Sequence, residues 1–195
     1  MLSRPAIAVL IPAHNEEAVL HDTLESLIPQ LRNGDRVVVV ADNCNDDTCK
    51  IARSFGAIVL NRHDTINRGK GFALDYGISH LRENAPDILI MMDADCTIHE
   101  GAIDALVAQV TATGRPAQAC YLMESPANPK PKDCVSALAF LIKNLVRPRG
   151  LFQLGLPCLL TGTGMAFPWS VIANARLASG NIVDRSCFVV KDLTC

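Results

Sequence analysis

Five short apolar runs, separated by segments with helical spacing, constrain the fold of this chain more than any other feature of its sequence. These runs are rich in Val, Ile and Leu and show no regular polar alternation; they cover residues 6–12, 36–41, 57–61, 87–93 and 117–124. Strands of this kind are buried on both faces, as in parallel sheets that are covered by helices. The order β-α-β-α-β-α-β-α-β therefore predicts an α/β fold, a Rossmann-like sandwich around a mostly parallel central sheet.

The helices are predicted from apolar residues at 3.6-residue spacing between these runs. The predicted helices cover residues 15–31, 48–55, 70–82 and 99–113, and a strongly apolar helix follows at 134–146. Acidic residues lie in the first turn of the first helix, where the helix dipole favours them. The sequence "RPRG" is expected to end the last helix.

Length, charge and cysteine content exclude several classes of protein. The chain has 195 residues, and we expect a single domain over 1–195. Its net charge is −2 with 18 scattered basic residues, which gives no electrostatic footprint for nucleic acid. The eight cysteines form no C-x-x-C pattern, which argues against a zinc site, and Cys120 and Cys158 lie in apolar stretches as buried thiols would. We infer a reducing, cytoplasmic location.

Polar residues follow each of the first four predicted strands. His14, Glu16 and Glu17 follow the first strand. The segment 42–47 is acidic, and a loop with Arg62, Arg68 and Lys70 follows the third strand. The fourth strand ends in Asp93 and Asp95. Because ligands of open α/β sheets bind at the carboxyl ends of the strands, these residues are expected to hold an anionic ligand, with Mg²⁺ or Mn²⁺ between it and the aspartates.

Each of these features also has a purely structural interpretation. Segment 42–47 could be a turn in which Asp46 or Asp47 caps the next helix. His14 and His21 complete no metal-binding pattern and are more simply surface or packing residues. Asp93 and Asp95 are harder to explain in this way, because two like charges one strand repeat apart repel each other unless a cation or hydrogen-bond donors hold them.

Several motifs together resemble a known family. The segments "VLIPAHNEE", "VVVADNCNDDT", "NRGKGFALDYG" and "MMDADC" occur in the order and spacing of the inverting family 2 glycosyltransferases with a GT-A fold. The later segment "LLTGTGMAFPWSV" resembles the glycine-containing acceptor loop of that family. The resemblance covers residues 6–183 and implies transfer of a sugar from a nucleotide-diphosphate sugar, in particular a UDP-sugar, to a glycan or lipid-linked acceptor in the synthesis of cell-surface or exopolysaccharide.

The resemblance also implies a role for individual residues. It assigns Asp42 to the uracil-type base, Glu16 to the ribose and Lys70 to the nucleotide-side loop, and Asp93 and Asp95 to the D-x-D pair, with Asp95 nearest the Mg²⁺ or Mn²⁺ ion. It further assigns substrate contacts to four more residues, Pro12, Gly162, Thr163 and Gly164. In such a site, a metal on the diphosphate stabilises the charge that develops as the sugar departs.

The resemblance weakens toward the end of the sequence. The catalytic base of the family is an acid in an E-D type pair after the "GTG" loop, whereas here only Asp184 is available at that place, with Asp192 as an alternative. The later Q-x-x-R-W motif is absent, and the tail 184–195 is atypical. We therefore expect a C-terminally incomplete copy, which binds nucleotide and transfers poorly.

Two other functions remain open. "MMDADCTI" also fits the first motif of haloacid dehalogenase-type phosphatases, in which Asp93 would be the nucleophile, although that motif belongs on the first strand of its domain. The helix at 134–146, with Lys143, Arg147 and Arg149 at its end, is either an ordinary core helix or a helix at the inner face of the cell membrane that contacts anionic lipid.

Overall fold

The computed structural model describes residues 4–123, 126, 128–156, 160–173 and 188–194, and its centre is a seven-stranded sheet in the order β3-β2-β1-β4-β6-β5-β7. The strands are β1 (Ile7–Ala13), β2 (Arg36–Asp42), β3 (Ile58–Arg62), β4 (Ile88–Met91), β5 (Ala117–Leu122), β6 (Met165–Pro168) and β7 (Phe188–Thr194). The helices are α1 (Leu20–Leu27), α2 (Thr48–Ser54), α3 (Lys70–Leu81), α4 (Ala102–Thr113), α5 (Pro131–Leu141), α6 (Arg147–Gln153) and α7 (Trp169–Ile172). The predicted α/β class with a mostly parallel sheet is confirmed.

The central strands β1, β2 and β4 are buried on both faces, which explains their unbroken apolar runs. In β1, Ile7, Val9 and Ile11 pack into a core cluster with α1 and α4, whereas Ala8 and Leu10 pack into a second cluster with α3. Both sets are fully buried. Alternating side chains of one strand thus meet helices on opposite faces, so neither set can be polar.

The parallel half of the sheet places the strand ends at one edge. β1 pairs in parallel with both β2 and β4, and β2 pairs in parallel with β3. The carboxyl ends of β1, β2 and β3 therefore lie side by side: Ala13 is the register partner of Ala41, and the next residue, Asp42, is the register partner of Arg62.

The sequence did not indicate β6. This strand inserts antiparallel between β4 and β5, with Met91 opposite Met165. Its four residues form too short an apolar run to stand out. Because β6 runs against β4, its amino end lies beside the carboxyl end of β4, and the preceding "GTG" loop is brought to Asp93. In the tail, the backbone of Phe188–Thr194 forms β7, which pairs in parallel with β5.

Two predicted helix boundaries are wrong. α1 begins at Leu20, not at residue 15, because Asn15 has a positive φ of 56° and residues 16–19 form a turn; Glu16 and Glu17 therefore precede the helix. The helix after Pro131 does not end at "RPRG". It passes through a π-helical turn, Ile142–Val146, and continues as α6 across Pro148. Pro148 has no N–H to donate, and it stands in the first turn after the wide π turn, where the helix tolerates its ring.

The cysteines differ in state. Cys96 is disulfide-bonded, which the inference of a reducing compartment does not predict. Cys44, Cys49, Cys120 and Cys134 remain thiols, and Cys120 is buried as expected. Cys158 lies outside the described residues. In the described part of the chain, no helix combines the length and apolar character that crossing a membrane requires.

Candidate active site

A cavity of about 480 Å³ lies at the carboxyl ends of β1, β2 and β4, a volume in the range of small-ligand sites. Among its lining residues are six that the sequence predicts as site residues: Pro12, Glu16, Asp42, Lys70, Asp93 and Asp95. These six residues come from four separate segments of the chain. The structure therefore brings them together around one space.

Asp42 is held at the back of this cavity by a buried ion pair. Arg62 Nη1 lies 2.6 Å from Asp42 Oδ1, and both side chains are less than a tenth exposed. Asn43 Nδ2 donates a second hydrogen bond to the same oxygen, at 3.0 Å. The His14 ring donates from Nδ1 to the Asp42 backbone carbonyl at 2.6 Å, which identifies His14 as part of the site wall. The sequence-based idea that Arg62 meets an anionic ligand is wrong, because its guanidinium is turned to protein carboxylates.

Lys70 links the donor side of the cavity to the "GTG" loop. It stands at the start of α3, and its Nζ forms a short ion pair with Asp93 Oδ1. The same Nζ donates to the Gly162 carbonyl at 2.7 Å. Gly162 and Gly164 adopt positive φ angles of 100° and 64°, which glycine tolerates best. Lys70 thus connects three segments that are distant in the sequence.

The "GTG" loop is fixed from below by Gln118, which the sequence did not single out. Gln118 is buried on β5, and its Nε2 donates to the Thr163 carbonyl at 2.8 Å while its Oε1 accepts from the Thr161 N–H at 2.9 Å. Thr163 is also buried, and its Oγ1 accepts a hydrogen bond from the Asp93 backbone N–H at 2.9 Å. Gln118 therefore positions Asp93 through Thr163. A lone glutamine in an apolar strand was the one available signal.

Negative charge accumulates on the side of the cavity near Glu16. Partial burial raises the pKa of Glu16, and the carboxylates of Asp95, Asp46 and Asp93 raise it further, against a lowering by His14. The Glu16 backbone is anchored by its N–H to Thr48 Oγ1, at 2.9 Å. A site that opposes ionisation of its own acid is short of positive charge.

The oxygen donors of this cavity fit a hard divalent cation. Asp93 and Asp95 supply carboxylate oxygens, and Lys70 now partly neutralises one of them. Mg²⁺ and Mn²⁺ suit such oxygens, and Mg²⁺ is commonly bound through one or two carboxylates while substrate phosphates fill further positions. Within the described residues, the one group of three acidic or histidine ligands that lie together is His21, Asp22 and Glu25, on the exposed side of α1. It does not include the D-x-D pair, so we expect the cavity to need the ligand's own oxygens.

Three acids that the sequence analysis considered do not belong to the described cavity wall. Asp46 also caps a helix, since its Oδ1 accepts from both the N–H and the hydroxyl of Thr48 at the start of α2. The predicted base Asp184 lies outside the described residues, and for Asp192 the structure describes the backbone of β7 alone. Both remain predictions.

The sequence matches the family described as "Glycosyl transferase family 2" over residues 8–146. A probable glycosyltransferase, YdaM, of Bacillus subtilis is 34% identical over 115 residues, which are 55% of this chain and 27% of YdaM. The 4,4'-diaponeurosporenoate glycosyltransferase of Staphylococcus aureus is 34% identical over 113 residues, 56% of this chain and 29% of that protein. The chain thus spans well under half the length of these two relatives.

Solved structures share the fold. Glucosyl-3-phosphoglycerate synthase of Mycobacterium tuberculosis, in complex with Mn²⁺, UDP and glucosyl-3-phosphoglycerate, superposes with a TM-score of 0.59 at 21% identity, over 97% of this chain and 71% of that one. A mannosyltransferase of Pyrobaculum calidifontis in complex with GDP-mannose and Mn²⁺ superposes with a TM-score of 0.64 at 16% identity, over 98% and 57% of the two chains. At these identities the likeness shows the fold, which is that of GT-A glycosyltransferases.

Proposed function

The chain belongs to glycosyltransferase family 2, and we propose that it binds a UDP-sugar with Mg²⁺ or Mn²⁺ and transfers the sugar to a glycan or lipid-linked acceptor, with inversion. The observation that carries this proposal is the cavity that gathers Asp42, Lys70, Asp93 and Asp95 at one sheet edge. The Mn²⁺ and UDP bound to the mycobacterial synthase support the choice of cofactor and nucleotide.

The spacing of these residues suggests a division of labour along the nucleotide. Asp42, at the back of the cavity, accepts a hydrogen bond from the base, and Glu16 accepts hydrogen bonds from the hydroxyl groups of the ribose. When the ligand binds, the Lys70 side chain exchanges its ion pair with Asp93 for one with the diphosphate, where its positive charge offsets the negative charge of the phosphates. A metal held by Asp95 and Asp93 would stabilise negative charge on the departing diphosphate.

Transfer also needs a base that takes the proton of the acceptor hydroxyl, and we propose Asp184 for this role. The "GTG" loop, Gly162, Thr163 and Gly164, forms the acceptor side next to Asp93. Losing a general base typically lowers the rate by about 10²–10⁴-fold. Asp184→Asn should therefore lower acceptor-dependent turnover by that factor and leave UDP affinity unchanged. Equal turnover in both proteins would assign the base elsewhere.

Calorimetry with UDP tests the donor site. We expect UDP to bind in the presence of Mn²⁺. When a chelator removes the metal, the affinity should be at least about tenfold weaker, since bonds to charged groups contribute about 1.5–3 kcal/mol each. Asp95→Asn should reproduce the effect of chelator. Asp104→Asn is the matched control. Asp104 lies on α4, where it forms an ion pair with Arg32, and it does not line the cavity. Equal affinity with and without metal would reject the metal role, and hydrolysis of simple phosphomonoesters in place of UDP binding would favour the phosphatase alternative.

A membrane-surface contact is supported by an exposed apolar stripe along α5, the π turn and α6. No residue of α5 is buried, and four large side chains at helical spacing are between 50% and 68% exposed: Val135, Leu138, Ile142 and Val146. The core-helix interpretation of this segment is therefore wrong for α5.

The charge of the same segment indicates what kind of surface the exposed stripe would contact. Between residues 130 and 156 there are five basic residues and one acid, Asp133, in a chain whose net charge is −2. An apolar stripe flanked by cations is complementary to an anionic lipid surface. This contact would bring a lipid-linked acceptor to the enzyme.

Liposome flotation tests the contact. Anionic vesicles at low salt should carry the protein, and the double variant Leu138→Ser, Ile142→Ser should stay behind. Ile66→Ser is the matched control, because Ile66 is 89% exposed in a different part of the surface. Absence of flotation would assign the stripe to a protein contact instead.

A further inference from the structure

Arg62 holds the base-contacting residue Asp42 from outside the cavity. Asp42 lines the cavity, whereas Arg62 does not and instead borders a separate surface depression with Asp64, Asn67 and Phe72. The two side chains meet at the neighbouring ends of β2 and β3, where Asp42 and Arg62 are register partners. The guanidinium therefore supports Asp42 and does not line the cavity.

The guanidinium is itself fixed on several sides. Its Nη2 donates to Asp64 Oδ2 at 3.0 Å and to the Asn67 carbonyl at 2.6 Å, and its centre lies 5.8 Å from the centre of the Phe72 ring. Asn43 joins the two halves of this network, since its side chain also exchanges two hydrogen bonds with the backbone of Asp64. A planar fork with several donors can satisfy these acceptors together, which a lysine ammonium on its flexible stem does not.

The two oxygens of Asp42 are left in different states by this support. Oδ1 accepts from both Arg62 and Asn43. Oδ2 accepts no hydrogen bond from any residue that the structure describes. Arg62 and the Asn43 amide nitrogen can only donate, so Asp42 takes the acceptor role in this network, and a carboxylate offers its oxygens as acceptors.

We propose that Arg62 is a positioning residue that makes Asp42 a one-sided, acceptor-only group and thereby sets the choice of nucleotide base. A base must then present a ring N–H to Oδ2. Uracil and guanine carry such a group, at N3 and N1 respectively. At that ring position, cytosine and adenine carry an unprotonated nitrogen. This nitrogen is itself an acceptor, so it would face the acceptor Oδ2 with no hydrogen between them. This inference rests on the proposed nucleotide-sugar site.

The test measures the affinities of UDP and CDP for the same protein, by calorimetry in Mn²⁺. For the unaltered protein we expect CDP to bind about 10- to 100-fold more weakly, the usual size of a charged hydrogen bond lost and an acceptor left unpaired. In Arg62→Met the carboxyl group loses the guanidinium that orients it and can rotate, so that Oδ2 is no longer held toward the ring N–H of the base. The CDP-to-UDP ratio of dissociation constants should fall by about tenfold. Arg62→Lys, which keeps a charge, should show a fall of several-fold.

A matched control separates this role from a structural one. Arg4 forms an ion pair with Asp35 and is equally buried, with 10% of its side chain exposed, but does not line the cavity. Arg4→Met should lower stability without changing the nucleotide ratio. In Asp42→Asn, the amide can offer either a donor or an acceptor, so the ratio should be near one, and adding Arg62→Met should change it no further.

Each outcome has one meaning. An unaltered protein that binds no UDP refutes the proposed function itself. If it binds UDP and CDP equally, base selection by Asp42 is refuted while the function stands. If it prefers UDP and keeps its full ratio in Arg62→Met, Arg62 is a structural residue only. Should Arg62→Met fail to fold, the ratio in Arg62→Lys decides on the same terms.

Discussion

Replacing Gln118 with methionine tests how the "GTG" loop is held. Methionine has a similar length and no strong polar atoms, so packing on β5 is kept while the hydrogen bonds of the amide are lost. Three backbone groups then lose the partner that the structure gives them: the Thr161 N–H, the Thr163 carbonyl and the Ala119 carbonyl. The Gly164 carbonyl does not, because it also accepts from the Ala119 N–H.

The expected loss follows from these three groups. Each buried polar group without a partner costs about 1–3 kcal/mol, so the free energy of unfolding should fall by roughly 3–9 kcal/mol. For a chain of this size that corresponds to a melting temperature lower by roughly 6–36 °C. Since Thr163 also holds the Asp93 backbone, UDP affinity in Mn²⁺ should fall as well.

Thermal and urea unfolding, followed by circular dichroism, measure this loss. Gln109→Met is the control, because Gln109 lies on α4 and its side chain makes no hydrogen bond with the described residues; its effect should stay within about 0.5 kcal/mol. A Gln118→Met protein as stable as the control would show that water or movement of the loop satisfies these groups, and the account of Gln118 as the support of the loop would fail.

Three further substitutions have defined outcomes in the same unfolding assays. The pKa of Glu16 is raised above 4.5, so the folded state binds the extra proton and stability falls as pH rises through that pKa; Glu16→Gln should raise the melting temperature at pH 7, and the gain should vanish below pH 4.5. Asn144 is buried in the π turn with both side-chain polar atoms unpartnered in the described structure, so Asn144→Leu should stabilise by about 1 kcal/mol. Gly77 of α3 packs so closely on β1 and β2 that a methyl group would overlap Leu10 and crowd Val40, so Gly77→Ala should destabilise by about 1–3 kcal/mol.

The parallel half of the fold could be predicted because its signal is local. Each of β1 to β5 is an apolar run in the sequence, and each following helix shows its own spacing. β1, β2 and β4 are buried on both faces, whereas the edge strand β3 is partly exposed. β6 could not be predicted, because its pairing with β4 and β5 depends on contacts more than 40 residues away. The passage of the helix across Pro148 was missed for a different reason, since a π turn leaves no pattern in sequence.

The candidate site could be predicted to the same extent. Residues that follow β1, β2 and β4 were identified, because strand ends of a parallel sheet share one edge. The partners that orient them were not. Arg62 was taken for a loop cation, and Gln118 was not noticed, since a side chain that acts through a second residue carries no motif. Whether Asp42, Lys70 and Asp95 perform the roles assigned to them stays a prediction.

The late position of β6 in the chain also determines when two residues of the cavity, Lys70 and Asp93, gain their support from the "GTG" loop. The bond from Asp93 to Thr163 joins residues 70 apart, and that from Lys70 to Gly162 joins residues 92 apart. During synthesis, β1 to β4 can pair as they emerge, but β5 joins the sheet only after β6 has paired with β4, because β6 lies between β4 and β5. Contacts of such long sequence separation form slowly. A nascent chain that ends before residue 162 should therefore hold a folded parallel half with the residues that line the cavity, but its Lys70 and Asp93 would lack the bonds that the "GTG" loop gives them.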